Sequence, residues 1–311
     1  MDLRQLRYFL SIAEARSFSR AAERVHIAQP ALSAHVGRLE EELGVRLFHR
    51  TSKGVELTRA GIVLAEHAVT ILKDVQTAQD AVRNAGEEVQ GHVSLGLTTS
   101  VSMVVTVALL ERVRSRWPRI ELHLVEGHSG WLMEWLLDGR LDSAIIYEAS
   151  TVTKTLRTTL LLEDELYLIG PPSRVEPAAS STVTMGELAE IPLMLPGRPH
   201  GLRAVIDQAA ASAGLEVKVE AEVESVYSIK EVVVAGMGHT VTSLSPFRKE
   251  LARNEVSARR IVEPQVLRNV VLATRADRSL SEAREKVEAE LKGLVIELVH
   301  SGQWPGRLKL A

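Results

Sequence analysis

Apolar residues recur three to four positions apart at the start of the chain: Leu3, Leu6, Leu10 and Ala13, flanked by Phe9 and Ile12, predict an amphipathic first helix. Ser17 is placed to cap a second, very short helix whose inner face is Phe18, Ala21, Ala22 and Val25. His26-Ile27-Ala28 leaves room only for a turn. Pro30 suits the first turn of a third helix, where its missing N–H costs nothing, and Leu32, Val36, Leu39 and Leu43 follow at helical spacing until Gly44 ends it. From Val45 to Leu57, the polar run Arg50-Thr51-Ser52-Lys53-Gly54 reads as a tip between two short extended pieces. The order is helix, helix, turn, helix, wing.

From Thr58 to about Ala85 the pattern is one long helix, with Gly61 its weak point. Leu64, Ala68, Ile71, Val75, Ala78, Val82 and Ala85 alternate four and three apart, a seam of the kind that pairs helices into a dimer. The alternative is a helix lying on its own domain. Gly86 to Gly91 reads as a hinge, and beyond it strands and helices alternate. Val93–Leu97, Ile120–Val125, Leu141–Ile146, Leu166–Ile169, Leu193–Leu195, Val217–Val223, Thr240–Leu244 and Val270–Thr274 are the strand candidates of a parallel-rich sheet. Helices are expected over Met103–Val113, Trp131–Leu137 and Ser279–Val299, and Thr184-Met185-Gly186-Glu187 forms a capping box. The expected division is a winged helix-turn-helix over 1–60, a linker and dimerisation helix with its hinge over 58–90, and a regulatory α/β domain over 91–311. That last part exceeds one ordinary domain and is expected as two lobes, one about 91–162 plus 267–300 and the other about 163–266.

Composition narrows the function. The chain of 311 residues is 45% apolar and 25% charged, which is globular, and without cysteine it can hold neither a disulfide nor a thiolate-ligated metal. Its net charge of -3 hides an asymmetry: residues 1–60 carry ten Lys and Arg against seven Asp and Glu, whereas the rest carries twenty-seven against thirty-three. A basic head on an acidic body is the footprint of a nucleic-acid module attached to something else. The charged start, with Asp2, Arg4 and Arg7, does not read as a secretory signal, and nothing later approaches a membrane span, so a cytoplasmic location is expected.

Particular stretches carry a family resemblance. Phe18 to Ser33, Leu39-Glu40-Glu41-Glu42-Leu43-Gly44, Leu47-Phe48-His49-Arg50 and Leu57-Thr58-Arg59-Ala60-Gly61 together resemble the N-terminal signature of LysR-type transcriptional regulators. Trp117 to Leu122, Leu137 to Asp142 and Val234 to Gly238 are similar to that family's effector domain, and within the family the chain looks closest to the nitrogen-assimilation-control branch. The resemblance implies a winged helix-turn-helix, a dimerising linker helix, a two-lobed periplasmic-binding-protein-like α/β effector domain, assembly to a tetramer, and RNA polymerase as a partner. Ala28 departs from the serine common at its position in the family, which removes a cap.

The third helix is then expected in the major groove, with double-stranded DNA as the partner. Leu32, Val36 and Leu39 point inward, which leaves Gln29, Pro30, Ser33, Ala34 and Gly37 outward. The Gln29 amide suits adenine N6/N7, Ser33 bonds several bases, and Pro30 and Ala34 offer contact to a thymine methyl. Phosphates are assigned to Ser19 and Arg20 on the second helix and to Arg50, Ser52 and Lys53 on the wing. In the regulatory domain a small, anionic effector is expected where strand 93–97 feeds a helix, held by Thr98, Thr99 and Ser100, with Ser129 placed similarly and Arg198 and His200 supplying charge from the second lobe. For the hydroxyls the alternative is plain helix capping, and for Arg198 and His200 a surface loop.

Gly127-His128-Ser129-Gly130-Trp131 nearly spells a nucleophile elbow, but Trp131 is too bulky for that tight turn, and no Walker loop, glycine fingerprint, metal-ligand spacing or cofactor motif accompanies it. An enzyme is therefore not expected. A transport-type binding protein shares the two-lobed architecture but should be exported and lack residues 1–88.

Overall fold

The computed structural model describes residues 1–51, 54–83, 88–148, 155–172, 181–198, 200–277 and 280–310. The head consists of α1 (Leu3–Ala15), α2 (Phe18–Arg24), α3 (Gln29–Leu43) and a wing of β1 (Phe48–Thr51) antiparallel to β2 (Gly54–Leu57). Ser17 caps α2 by accepting the Arg20 N–H at 3.4 Å, and Gly44 ends α3 in the left-handed conformation that glycine tolerates best. The apolar stripe of α1 is rotated from the expected one. Leu6, Phe9, Ile12 and Ala15 are buried, while Leu3 is exposed, because α2 and α3 cover the helix from one side only. Glu40, buried on α3, accepts the Leu47 N–H at 2.7 Å and pairs with Arg46 at 2.7 Å, which fixes where the wing leaves the helix.

The linker helix α4 (Arg59–Arg83) begins at Thr58, whose hydroxyl accepts the Gly61 N–H at 2.9 Å. Gly61 is no weak point. A Cβ there would lie 2.1 Å from the Leu47 carbonyl oxygen, so the helix can approach the wing only at a residue without a side chain. The seam also divides. Ala68 is fully buried in the head core, with Leu64 and Ile71 packed against it, so the first half of the seam faces α1 of the same chain. Three-to-four spacing specifies an apolar face, not whose helix covers it. Past the head, Val75 is half-buried, Ala78 exposed and Val82 77% exposed; Ala85 lies outside the described residues.

The regulatory part runs β3 (Gly91–Leu97), α5 (Thr99–Arg116), β4 (Ile120–Glu126), α6 (Ser129–Leu137), β5 (Ser143–Tyr147), β6 (Leu156–Gly170), β7 (Thr182–Thr184), α7 (Met185–Glu190), β8 (Leu193–Leu195), α8 (Gly201–Ser212), β9 (Val219–Glu222), α9 (Val226–Val234), β10 (Thr240–Ser243), α10 (Arg248–Ala252), β11 (Ser257–Val262), β12 (Leu267–Arg275), α11 (Glu282–His300) and β13 (Gly306–Leu308). The sheet is mixed, not parallel-rich. β3 pairs in parallel with β4 and β5, whereas β12 is antiparallel to β5 and β6, and β10, β11 and β13 are antiparallel to β6. The cause is β6, a single fifteen-residue strand that crosses between the lobes. Leu156–Glu165 pairs with β12, and Leu166–Gly170 pairs with β10 and β11.

Each lobe buries apolar side chains on both faces of its sheet. In the first lobe Val93, Leu95 and Leu97 meet α5 and α11 on one side, while Leu132 and Leu136 of α6 close the other. In the second, Leu202 and Ile206 of α8 cover one face and Ile229 and Val233 of α9 the other. No helix among the described residues is long and apolar enough to cross a membrane.

Candidate nucleic-acid interface and inter-lobe cleft

On α3 the inward residues Leu32, Val36 and Leu39 are buried, and the opposite face is open. Gln29, Pro30 and Ala34 are exposed and Ser33 is half-buried, so the expected reading residues share one surface. Ala28 occupies the N-cap without a side-chain hydrogen bond, which leaves backbone N–H groups of the first turn unpaired by any cap. Ser19 and Arg20 are exposed on α2. The wing tip falls differently: Ser52 and Lys53 lie outside the described residues, and of Arg50 only the backbone, in β1, is described. Arg38 was missed. It is exposed on the row Pro30, Ala34, Arg38, four residues apart, and its guanidinium lies 3.2 Å from His35 Nδ1. The signal was available in the spacing, since a basic residue two turns beyond Pro30 extends the same face.

Between the lobes lie an inner chamber of about 50 Å³ and a more open vestibule of about 820 Å³. Thr98, Thr99, Ser100, Ser129 and His200 line the chamber. The hydroxyls do not act as helix caps. Thr98 precedes α5 without capping it, Ser100 Oγ lies 2.8 Å from the Tyr147 hydroxyl, and Ser129 Oγ accepts the Tyr147 N–H at 3.2 Å. His200 caps α8, its Nδ1 accepting the Leu202 N–H at 3.1 Å, and its ring meets that of His128 edge-on at 5.4 Å across the cleft. Burial, then the charges of His128 and Arg268, lower the His200 pKa below that of an ordinary imidazole.

Arg198 does not reach the cleft. Its guanidinium is bound to Asp207 at 2.9 Å and is largely exposed, because the carboxylate on α8 captures it outside the site. The cation of the cleft is Arg268, which sequence reasoning missed. It is 5% exposed, stacks 3.5 Å from the Tyr147 ring centroid and pairs with Asp164 at 3.4 Å. Asp164, fully buried on β6, also accepts from Ser243 Oγ at 2.9 Å, Trp304 Nε1 at 2.9 Å and the Tyr147 hydroxyl at 3.4 Å. Burial raises its pKa, and Arg268, Ser243 and Trp304 pull it back down. Burial likewise pushes the Tyr147 phenol up to about 12, so it stays a neutral hydroxyl. An arginine placed before the apolar run Val270–Ala273 was the visible hint, since a charge entering a buried strand needs a partner.

The linker and the first lobe are joined by an ion pair, Lys73 with Asp142 at 2.8 Å. The other Asp142 oxygen accepts the Ser94 N–H at 2.7 Å, which anchors the pair to β3.

Comparison with known proteins gives one consistent answer. Residues 3–62 match the bacterial regulatory helix-turn-helix protein, lysR family, and residues 86–294 match the LysR substrate binding domain. The nitrogen assimilation regulatory protein nac of Klebsiella aerogenes is 36% identical over 296 residues, covering 95% of each chain. In fold, the chain is similar to full-length OxyR from Pseudomonas aeruginosa, with a TM-score of 0.75 at 24% identity over 100% of this chain and 99% of that one. It is also similar to full-length CbnR in complex with its target DNA, with a TM-score of 0.67 at 23% identity, covering 96% and 99% of the two chains.

Proposed function

The chain belongs to the LysR family of bacterial regulatory helix-turn-helix proteins, and from that premise we propose which of its residues read DNA and how a small molecule alters the result. It is a DNA-binding transcription regulator with a C-terminal effector-binding domain, not an enzyme, and it assembles with copies of itself.

In this reading α3 lies in the major groove. Gln29 bonds adenine N6/N7, Ser33 bonds neighbouring base edges, and Pro30 and Ala34 contact thymine methyls. Ser19 and Arg20 hold phosphates from α2, Arg38 from the far end of α3, and Arg50, Ser52 and Lys53 from the wing. The observation that carries the assignment is that the row Pro30, Ala34 and Arg38 is exposed opposite the buried Leu32, Val36 and Leu39, with Gln29 exposed at the tip of the helix and Ser33 half-buried beside it. With few long side chains on that face, part of the sequence choice falls to DNA shape.

The second half of the seam, half-buried Val75 with exposed Ala78 and Val82, together with Ala85 from the sequence, pairs two linker helices and sets two heads on an inverted repeat. Leu64, Ala68 and Ile71, spent on the head core, orient the stalk instead. Two dimers joined through effector domains form the tetramer, in the cytoplasm, where they bend DNA and control access of RNA polymerase. A small molecule in the inter-lobe cleft changes lobe closure, and the Lys73–Asp142 pair carries that change to the stalk.

Selection sequencing with full-length Gln29→Ala protein tests the reading. Preference at one base pair per half-site is expected to relax, with about 1–3 kcal/mol of discrimination lost there. An unchanged site profile would remove Gln29 from base readout. Lys53→Ala and Arg38→Ala are each expected to weaken binding to all sequences alike and to reduce the salt slope by about one. A sequence-dependent loss in either variant would contradict a phosphate contact.

A further inference from the structure

The inner chamber defines its guest more closely than the role of the cleft does. Three of its lining side chains are at least nine-tenths buried and carry a polar atom with no partner among the described residues: Thr98 Oγ1, Thr240 Oγ1 and Arg268 Nε. Buried polar atoms are nearly always hydrogen-bonded, so three around one small space mark a polar binding site. They come from both lobes, Thr98 from the start of α5 and Thr240 from β10, so one guest on both draws the lobes together.

The arginine of the chamber is already balanced. Arg268 is paired with Asp164, and Asp164 is fully engaged by Ser243, Trp304 and Tyr147. His200 accepts a backbone N–H through Nδ1, a role only an uncharged imidazole fills. A carboxylate entering the chamber would be a buried anion without a countercharge of its own. Arg198, the second cation an anion would need, is held outside by Asp207.

Size sets the other limit. The chamber, about 50 Å³, is small beside the vestibule of about 820 Å³, so it takes a compact head group and not a whole molecule. Arg268 Nε can only donate, whereas a threonine hydroxyl donates or accepts. Resting on the cleft as the sensing site, we propose that the inner chamber takes an uncharged head group with both a carbonyl acceptor and N–H or O–H donors, of the primary-amide class. The carbonyl oxygen accepts from Arg268 Nε, and the amide N–H groups donate to the Thr98 and Thr240 hydroxyls. Trp131, Met133, Val205 and Leu267 line the vestibule outside and accommodate an apolar remainder of the molecule.

Acetamide and acetate have the same shape and differ in charge, which makes them the probes. With full-length protein, acetamide at ten times its dissociation constant is expected to raise the melting temperature by about 3 °C, and acetate at matched ionic strength to leave it unchanged. Thr240→Val keeps the volume and removes the hydroxyl, so acetamide affinity measured by calorimetry should fall about tenfold, while Arg198→Ala should leave it at the wild-type value. Acetate binding as well as acetamide, binding of neither probe, or wild-type acetamide affinity in Thr240→Val would each overturn the uncharged head group. The sensing role fails on a different result: acetamide that binds through Thr240 but leaves the operator footprint unaltered.

Discussion

Gly61→Ala is expected to abolish specific operator binding while the effector domain stays folded. The new Cβ would lie 2.1 Å from the Leu47 carbonyl oxygen and 3.1 Å from its carbon, both backbone atoms that no rotamer change can move. That carbonyl accepts the Thr58 N–H at 2.9 Å, and the Thr58 hydroxyl donates to the Arg46 carbonyl at 2.7 Å, so the entry to α4 is bound to the segment leading into the wing. The clash can be relieved only by breaking those bonds and swinging the stalk away from the head. Overpacking typically costs about 1–3 kcal/mol, and a rigid backbone contact belongs at or above the top of that range. A head of some sixty residues has little stability to lose. Operator affinity by fluorescence anisotropy should fall about a hundredfold or more, and thermal unfolding should show an early transition absent from the wild type. Gly37→Ala is the control for helix glycine in the melting experiment alone, since a Cβ there meets nothing within 4 Å and the substitution favours α3 by roughly 1 kcal/mol. A Gly61→Ala protein that melts and binds as the wild type would show that the wing tolerates displacement from the linker.

The head was legible because its determinants are local. Ser17, Pro30 and Gly44 are caps and turns that act on their neighbours, and the inner face of α3 follows from spacing alone. The rotated stripe on α1 and the divided seam on α4 were not legible for one shared reason: periodicity gives a face, and the packing partner decides which part of it is covered. Gly61 looked weak because its value lies in a contact with Leu47, fourteen residues away in sequence and on another element. In the effector domain Thr98, Ser100 and Ser129 could be placed from a strand feeding a helix, a local motif. The cation could not. Arg198 and Arg268 both sit near the cleft in the chain, and what separates them is a carboxylate partner, Asp207 for one and Asp164 for the other, chosen by tertiary structure. The acidic run Glu163-Asp164-Glu165 hid the length of β6 as well, since three carboxylates in a row resemble a break between strands.

Removal of Asp164 is expected to be the most damaging single change in the effector domain, and removal of its partner along with it far less so. Asp164→Ala leaves the Arg268 guanidinium buried without a countercharge and takes the acceptor from Trp304 Nε1 and Ser243 Oγ. Breaking a buried pair from one side costs about 3–5 kcal/mol, against a domain stability of about 5–15 kcal/mol. Arg268→Met is milder, because burial already raises the Asp164 pKa and the acid can take up a proton once the arginine is gone. That fixes the sign of its pH dependence. An acid whose folded pKa is above its unfolded value contributes stability below the unfolded value, near 3.8 here, and loses it as the pH rises toward the folded value. The Arg268→Met protein should therefore lose more resistance to denaturant between about pH 5 and about pH 8 than the wild type, in which Arg268 holds the raised Asp164 pKa down. The double variant Asp164→Leu with Arg268→Met replaces both charges by apolar groups and should recover most of the loss seen in Asp164→Ala, since no charge remains buried alone. Denaturant melts of these proteins with single Asp164→Leu added close the cycle, and strictly additive losses would mean that Asp164 and Arg268 act independently, with the network around Trp304 carrying the lobe junction without them.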